Sequence, residues 1–348
     1  MNANRKALIE ALEVVVPVLG SAGTPVELQS IRIWDDQIQT TNGLVRIQTN
    51  LPTNLGLRIS VPGAAFVALL KSLKTDDVDL NIDKGGKYLA VRTTKVEGKF
   101  NITKIDKFDP IEFAGYKSIT NDDLCSAIMS GMTTCRNNVS KDENAGALQG
   151  VRVEGNEILS TNRSRIYRFT LPADTGWHCT IYKVFIDVAD KHRDHLTSFH
   201  LNDDSFGVIA GGVIIQTKLI SGAYPALDQY FPNRESVDAA KCITYLDPMG
   251  DSLSRHIDFL AGVDSAEKEV SISFSGTTCE IVSRNPSIGE ITEVIDLKEA
   301  VPDHIEFLIN PILLKDFLTR CNHFKYLPDS KLVLFEIHGV EHLIQTRE

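Results

Sequence analysis

The 348-residue sequence predicts an α+β chain built from three similar units, spanning residues 1–115, 116–225 and 226–348. Three observations carry that reading. An order of helix, strands, second helix and closing strands recurs in each third of the chain. The closing strands match by eye, as D-K-G-G-K-Y-L-A-V-R-T, A-G-G-V-I-I-Q-T and H-G-V-E-H-L-I-Q-T. Finally, the segment K-L-I-S-G-A-Y-P-A-L-D-Q-Y-F-P, Lys218 to Pro232, is punctuated by Gly222, Pro225 and Pro232, which predicts a shaped connector entering a new unit.

In the first unit, Leu8, Ile9, Leu12, Val15 and Val16 recur at helical spacing between Arg5 and Val18. Alternation marks strands in I-R-I-W-D-D-Q-I-Q-T and V-R-I-Q-T, and a second helix, P-G-A-A-F-V-A-L-L-K-S-L-K, precedes V-D-L-N-I-D and K-Y-L-A-V-R-T. The second unit opens on T-N-D-D-L-C-S-A-I-M-S-G-M, a helix for which Thr120 is the expected cap, with acids in the first turn. Strands L-Q-G-V-R-V-E-G-N-E-I-L-S-T and R-I-Y-R-F-T-L-P follow, with a Gly-Asn turn. Its second helix is expected near I-D-V-A-D-K-H-R-D-H-L-T-S-F, before F-G-V-I-A-G-G-V-I-I-Q-T. In the third unit a helix around Asp251 to Ala261 leads to strands V-S-I-S-F, C-E-I-V-S and E-I-T-E-V-I-D-L. The helix N-P-I-L-L-K-D-F-L-T-R-C carries Pro311 at a favourable first-turn position, and K-L-V-L-F-E-I-H and H-L-I-Q-T close the chain.

Apolar content of 43% and charged content of 24% are ordinary for a globular protein, and the length suits two or three domains. A formal charge of −10 argues against coating nucleic acid with the whole surface, while leaving room for a local basic face. Six cysteines, at 125, 135, 179, 242, 279 and 321, form no C-x-x-C, so neither a zinc ribbon nor a redox pair is expected and core positions in a reducing compartment are. Glu10 and Glu13 interrupt the apolar run of the N-terminus, which reads as an amphipathic helix and not a signal peptide. No run approaches the roughly 18 apolar residues of a membrane span, so a cytoplasmic location without membrane contact is expected.

Enzyme chemistry finds little support. His192 and His195 in K-H-R-D-H could share a helix face, but no H-E-x-x-H accompanies them. There is no G-x-S-x-G, no P-loop and no G-x-G-x-x-G at a strand-to-helix turn. The acidic pairs Asp76-Asp77 and Asp203-Asp204 fit turn chemistry. No catalytic residue, metal or cofactor is expected.

With the repeat in place, the connector and the segment A-L-Q-G-V-R-V-E-G-N-E-I-L-S-T-N-R-S-R-I-Y-R resemble the bacterial DNA polymerase sliding clamp, the β subunit of DNA polymerase III. That resemblance implies sheets with two helices on the inner face of each unit, each chain forming half of a ring. It further implies a homodimer closed head-to-tail around duplex DNA, a tethered replicative polymerase, and a clamp-loader ATPase. Such a protein is a non-catalytic processivity factor.

Residue by residue, the resemblance implies a partner-peptide pocket at Leu148, Thr161, Arg163, Ser164, Arg165, Ile166, Pro225, Gln229, Tyr230, Leu343 and Ile344. Three departures stand out. Arg163-Ser164 replaces the usual Gly-His, Gln229-Tyr230 replaces a cation and a smaller apolar residue, and the chain ends in Gln345-Thr346-Arg347-Glu348 in place of an apolar tail. A pocket more polar at one end is expected. Helix cations would face DNA phosphates: Arg5, Lys6, Lys71, Lys74, Arg136, Lys191, Arg193, Arg255, Lys315 and Arg320. Ring closure would use Phe100 and Ile102 against Phe259 and Leu260, with Glu290 and Glu293 meeting Lys71 or Lys74. Exposed ion pairs are worth only about 0–1 kcal/mol each, so apolar contacts would have to hold the joint. A different reading is a repeat-built interaction protein that binds peptides without encircling DNA.

Overall fold

The computed structural model describes residues 2–244, 248–265, 267–318, 321, 323–337 and 340–346. Contacts divide the chain into two compact units. The first holds Met1–Arg136, Gln149–Asn156 and Leu171–Gly222; the second holds Asn137–Leu148, Glu157–Thr170 and Ala223–Glu348.

In the first unit, alternating sequences become antiparallel strands because one face can be buried at every second residue. Ile31 and Ile33 are fully buried while Arg32 between them is not. A nine-stranded sheet runs in the order Lys117–Ile119, Leu196–Leu201, Ser205–Ala210, Val213–Lys218, Val45–Asn50, Gln37–Thr41, Ser30–Trp34, Arg58–Pro62 and Thr103–Lys104. A four-stranded sheet orders Asn2–Asn4, Asp77–Ile82, Tyr88–Arg92 and Glu97–Asn101. Helix Arg5–Val15 buries Leu8, Leu12 and Val15, the stripe its spacing predicts. Helix Gly63–Ser72 starts at a glycine for a steric reason: a Cβ there would lie 2.6 Å from Leu19 Cδ1 and 2.9 Å from Ile31 Cγ1.

Two sequence expectations shift here. Asn121, not Thr120, caps helix Asp122–Cys135, its side chain accepting the Leu124 N–H at 2.9 Å. The next helix stops at Ala189, a 3-10 turn covers Asp190–His195, and L-T-S-F enters strand Leu196–Leu201. The reason is polarity: D-K-H-R-D-H has no buried residue to hold a longer helix on the sheet.

In the second unit, strands are ordered Glu157–Thr161, Arg165–Thr170, Val340–Gln345, Leu332–Ile337, His323–Leu327 and Lys241–Thr244. The expected short strands of the last third merge into a long ribbon, Val270–Asn285 against Gly289–Ile309, with register shifts around Gly276. Helices Pro248–Phe259 and Pro311–Leu318 accompany it, the latter with its proline at the first position. Phe317 anchors this core, stacking on Phe335 at 4.9 Å and meeting Tyr167 edge-on at 5.6 Å.

One pairing recurs. Within the first unit, closing strand Val213–Lys218 pairs with Val45–Asn50, placing Ile215 opposite Ile47. Within the second, closing strand Val340–Gln345 pairs in the same antiparallel sense with Arg165–Thr170, placing Leu343 opposite Ile166. The first repeat ends on Glu97–Asn101, so K-Y-L-A-V-R, expected as its closing strand, lies one strand earlier at Tyr88–Arg92. That last strand and the third strand of the final repeat are each paired on one side only among the described residues. Glu97–Asn101 bonds only to Tyr88–Arg92, and the 289–296 stretch bonds only to Val270–Asn285.

Truncating the Phe317 anchor should destabilise the second unit strongly. Phe317→Ala is expected to cost about 3–5 kcal/mol in urea unfolding, with Asn121→Ala costing about 1 kcal/mol through the lost cap.

Candidate functional site

A concave surface that gathers many of the sequence-selected residues grows from a five-residue turn. Thr161 Oγ1 accepts the Arg163 N–H at 3.1 Å and donates to the Arg165 carbonyl at 2.9 Å. Asn162 Oδ1 accepts the N–H groups of Ser164 and Arg165 at 3.2 and 3.1 Å. Beneath the turn, fully buried Asn138 donates through Nδ2 to the Ser160 and Arg165 carbonyls at 3.0 and 3.2 Å. The hairpin carrying the turn is therefore fixed from below as well as within.

The same turn occurs in the first unit as T-N-G-L-V. Thr41 Oγ1 accepts from Gly43 at 3.1 Å and donates to the Val45 carbonyl at 2.9 Å, while Asn42 Oδ1 accepts from Leu44 and Val45. Both central residues take positive φ, +92° at Gly43 and +78° at Arg163. Glycine does this without strain; a residue with a Cβ does not.

Around the second turn lies a groove of about 510 Å³ lined by Leu148, Thr161, Arg163, Ser164, Arg165, Ile166, Pro225, Leu227, Gln229, Tyr230, Ser330, Leu332, Leu343 and Gln345. It brings together Leu148, the Thr161–Ile166 turn residues named from sequence, Pro225, Gln229, Tyr230 and Leu343. Ile344 is a correction: it does not line the groove, because alternation along Val340–Gln345 puts it on the face opposite Leu343 and Gln345. Sequence reading missed Leu227, Ser330 and Leu332, while Gln345, expected to make one end of the pocket more polar, does line it. Leu332 and Leu343 were recoverable together, since alternation in K-L-V-L-F and H-L-I-Q places them in one apolar cluster with Val237, Leu327 and Leu334. Nothing local marks Ser330.

The connector contributes a short 3-10 turn, Asp228–Tyr230, that leaves Tyr230 49% exposed on the groove wall. Electrostatically the groove is one-sided: its lining includes two arginines and no carboxylate. Arg165 is engaged, with Nη1 3.0 Å from Asp316. The exposed Arg163 side chain has no hydrogen-bond or ion-pair partner among the described residues.

The helix cations are mostly occupied. Lys6 meets Asp76, Lys71 meets Glu13 at 2.6 Å, and Arg136 reaches Asp187 and Asp190 at 3.3 and 2.8 Å. Arg193 also meets Asp190, Arg5 donates to the carbonyls of Thr75 and Leu70, and Arg255 grips Glu293. Lys74, Lys191 and Lys315 make no ion pair among the described residues. Arg320 lies outside the described residues.

The joint residues need correction as well. Leu260 is 2% exposed and has no surface to offer, whereas Phe100, Ile102 and Phe259 are half-buried. Glu290 pairs with Arg284 at 2.6 Å and Glu293 takes two hydrogen bonds from Arg255 at 2.7 Å, so neither awaits Lys71 or Lys74. The Arg255 hydrogen bonds, helped by Ser252 and neighbouring positive charge, hold the Glu293 carboxyl down at about 2.

Cys125, Cys135, Cys179 and Cys279 are buried, and burial pushes the thiols of Cys179 and Cys279 up to about 12; Cys242, expected inside, is exposed. Among the described residues no three His, Cys, Asp or Glu side chains are placed to hold a metal ion, and no helix is long and apolar enough to cross a membrane.

No family model and no curated protein matches the chain. Solved structures do. A DnaN sliding clamp (DNA polymerase III subunit beta) from Bartonella birtlesii bound to griselimycin superposes with a TM-score of 0.82 at 14% identity, covering 100% of this chain and 99% of that one. The DNA polymerase sliding clamp from Caulobacter crescentus gives 0.82 at 18% identity over 100% and 99%. That from Bacillus subtilis gives 0.77 at 17% identity over 100% and 98%. The chain has the sliding-clamp fold.

Two outcomes follow. Arg163→Gly should stabilise the protein by roughly 0.5–1 kcal/mol in urea unfolding, because it removes left-handed strain. Arg255→Gln should return Glu293 towards 4.5, read by carboxyl NMR titration. Since a depressed carboxylate stabilises the fold above its unfolded value, that contribution is complete above about 4.5 and lost as pH falls through about 2.

Proposed function

We propose that this protein is a DNA sliding clamp: three clamp domains per chain, at 1–115, 116–225 and 226–348, two chains closing head-to-tail around duplex DNA. The supporting observation is the recurring strand joint. Closing strands pair twice with the third strand of the preceding repeat, and one closing strand and one third strand are left over. Glu97–Asn101 of one copy would pair with the 289–296 stretch of another, and two such joints close a ring with two-fold symmetry.

Apolar groups suit that joint. Phe100 packs edge-on against Phe66 and remains half-buried, Ile102 and Phe259 are half-buried, and Val294 on the 289–296 strand is 62% exposed. Glu290 and Glu293 would lie at its rim with their in-chain partners. Lys74, Lys191 and Lys315 would meet phosphates directly, while Lys6, Lys71, Arg136, Arg193 and Arg255 would do so as members of ion pairs. Contact would therefore be weak and indifferent to sequence, as sliding requires.

The groove would take a peptide of the replicative polymerase. Linkage to a ring on DNA turns polymerase rebinding into an intramolecular event at high effective concentration, with no chemistry in the clamp itself. A clamp-loader ATPase would open the ring, and the cytoplasm would be the working compartment. The reading is tested on nicked circular DNA loaded with protein. Retention through gel filtration on circles, lost after linearisation, is the expected result; equal retention on both forms would instead favour a peptide-binding protein that does not encircle DNA.

A further inference from the structure

We infer that Arg163 is a specificity determinant that selects partner segments carrying an acidic side chain beside apolar anchors. The inference rests on the groove being a partner site, as proposed above, and adds the chemistry of what it accepts.

The internal repeat isolates the effect of this residue. Two turns share the same Thr and Asn hydrogen bonds and the same left-handed central residue. At the first turn that residue is Gly43, which satisfies the backbone without strain; at the second it is Arg163, which does not. The turn therefore gives no reason for an arginine, and any reason must lie in what its side chain reaches.

The side chain stands at the groove. Arg163 is exposed and without a partner among the described residues, whereas the neighbouring cation Arg165 is held by Asp316. Leu148, Ile166, Leu227, Leu332 and Leu343 give the groove an apolar wall, and no carboxylate lines it. A guanidinium offers a planar pair of N–H donors matched to a carboxylate, so the unmatched charge is complementary to Asp or Glu. An apolar segment with one acid satisfies wall and charge together. A lysine at that place would meet like charge.

The test uses a random nonapeptide library displayed on phage, panned against the wild-type full chain and against Arg163→Gly, with Tyr230→Ala as a groove control. Arg163→Gly should fold at least as well as wild type, so altered binding cannot be ascribed to unfolding. Expected are wild-type-selected peptides enriched in Asp or Glu near leucine or aromatic residues, with no such enrichment on Arg163→Gly. A selected peptide should bind Arg163→Gly about 5–10-fold more weakly, and its acid-to-amide version should bind wild type more weakly by the same factor. Both changes together should cost no more than either, and added salt should shrink the effect. Groove-dependent peptides without acidic enrichment would overturn the assignment of Arg163 and leave the groove standing. Failure to select any peptide whose binding falls in Tyr230→Ala would overturn both.

Discussion

The repeated antiparallel joint between a closing strand and the third strand of the preceding repeat is the constraint on which the rest depends. Strand Val213–Lys218 against Val45–Asn50 and strand Val340–Gln345 against Arg165–Thr170 use the same hydrogen-bonding edge twice. An exposed edge of unpaired N–H and C=O groups is a liability for any β protein. Here the chain covers two such edges internally, while Glu97–Asn101 and the 289–296 stretch are each paired on one side only among the described residues. On the proposed reading, those two edges would meet head-to-tail between copies, with no separate device.

That joint also creates the groove. Pairing Leu343 with Ile166 brings the last strand beside the hairpin turn at Thr161–Arg165, and the connector adds Pro225, Gln229 and Tyr230 as the third wall. The turn is over-determined by Thr161, Asn162 and buried Asn138, which is how it can hold Arg163 in a conformation suited to glycine. Strain of this kind persists where surrounding bonds enforce it, and here it coincides with the one unpaired guanidinium among the described groove residues.

Much of the architecture was legible because period-2 alternation and the recurring element order survive in the sequence. Pro311 marked its helix, and the Ile-Ser-Gly to Pro232 segment marked the connector. Boundaries failed where polarity and local capping decide them. Asn121 outcompeted Thr120 as a cap, and D-K-H-R-D-H could not sustain a helix. Ten of the eleven pocket residues named from the sequence line the groove, Ile344 being lost to strand alternation. The charged residues were less legible because ion pairing is a three-dimensional property. No spacing rule links Arg255 to Glu293 across 38 residues, or Lys71 to Glu13.

The most direct test of head-to-tail closure is a cross-link across the proposed joint. Cysteines placed along Glu97–Asn101 and along 289–296, in a background with Cys242 and Cys321 changed to serine, would be oxidised at micromolar protein and resolved by denaturing mass measurement. At the matching register, the account predicts a covalent dimer closed by two disulfides, with no larger species. Absence of any cross-link at every register, or a ladder of open oligomers, would contradict it.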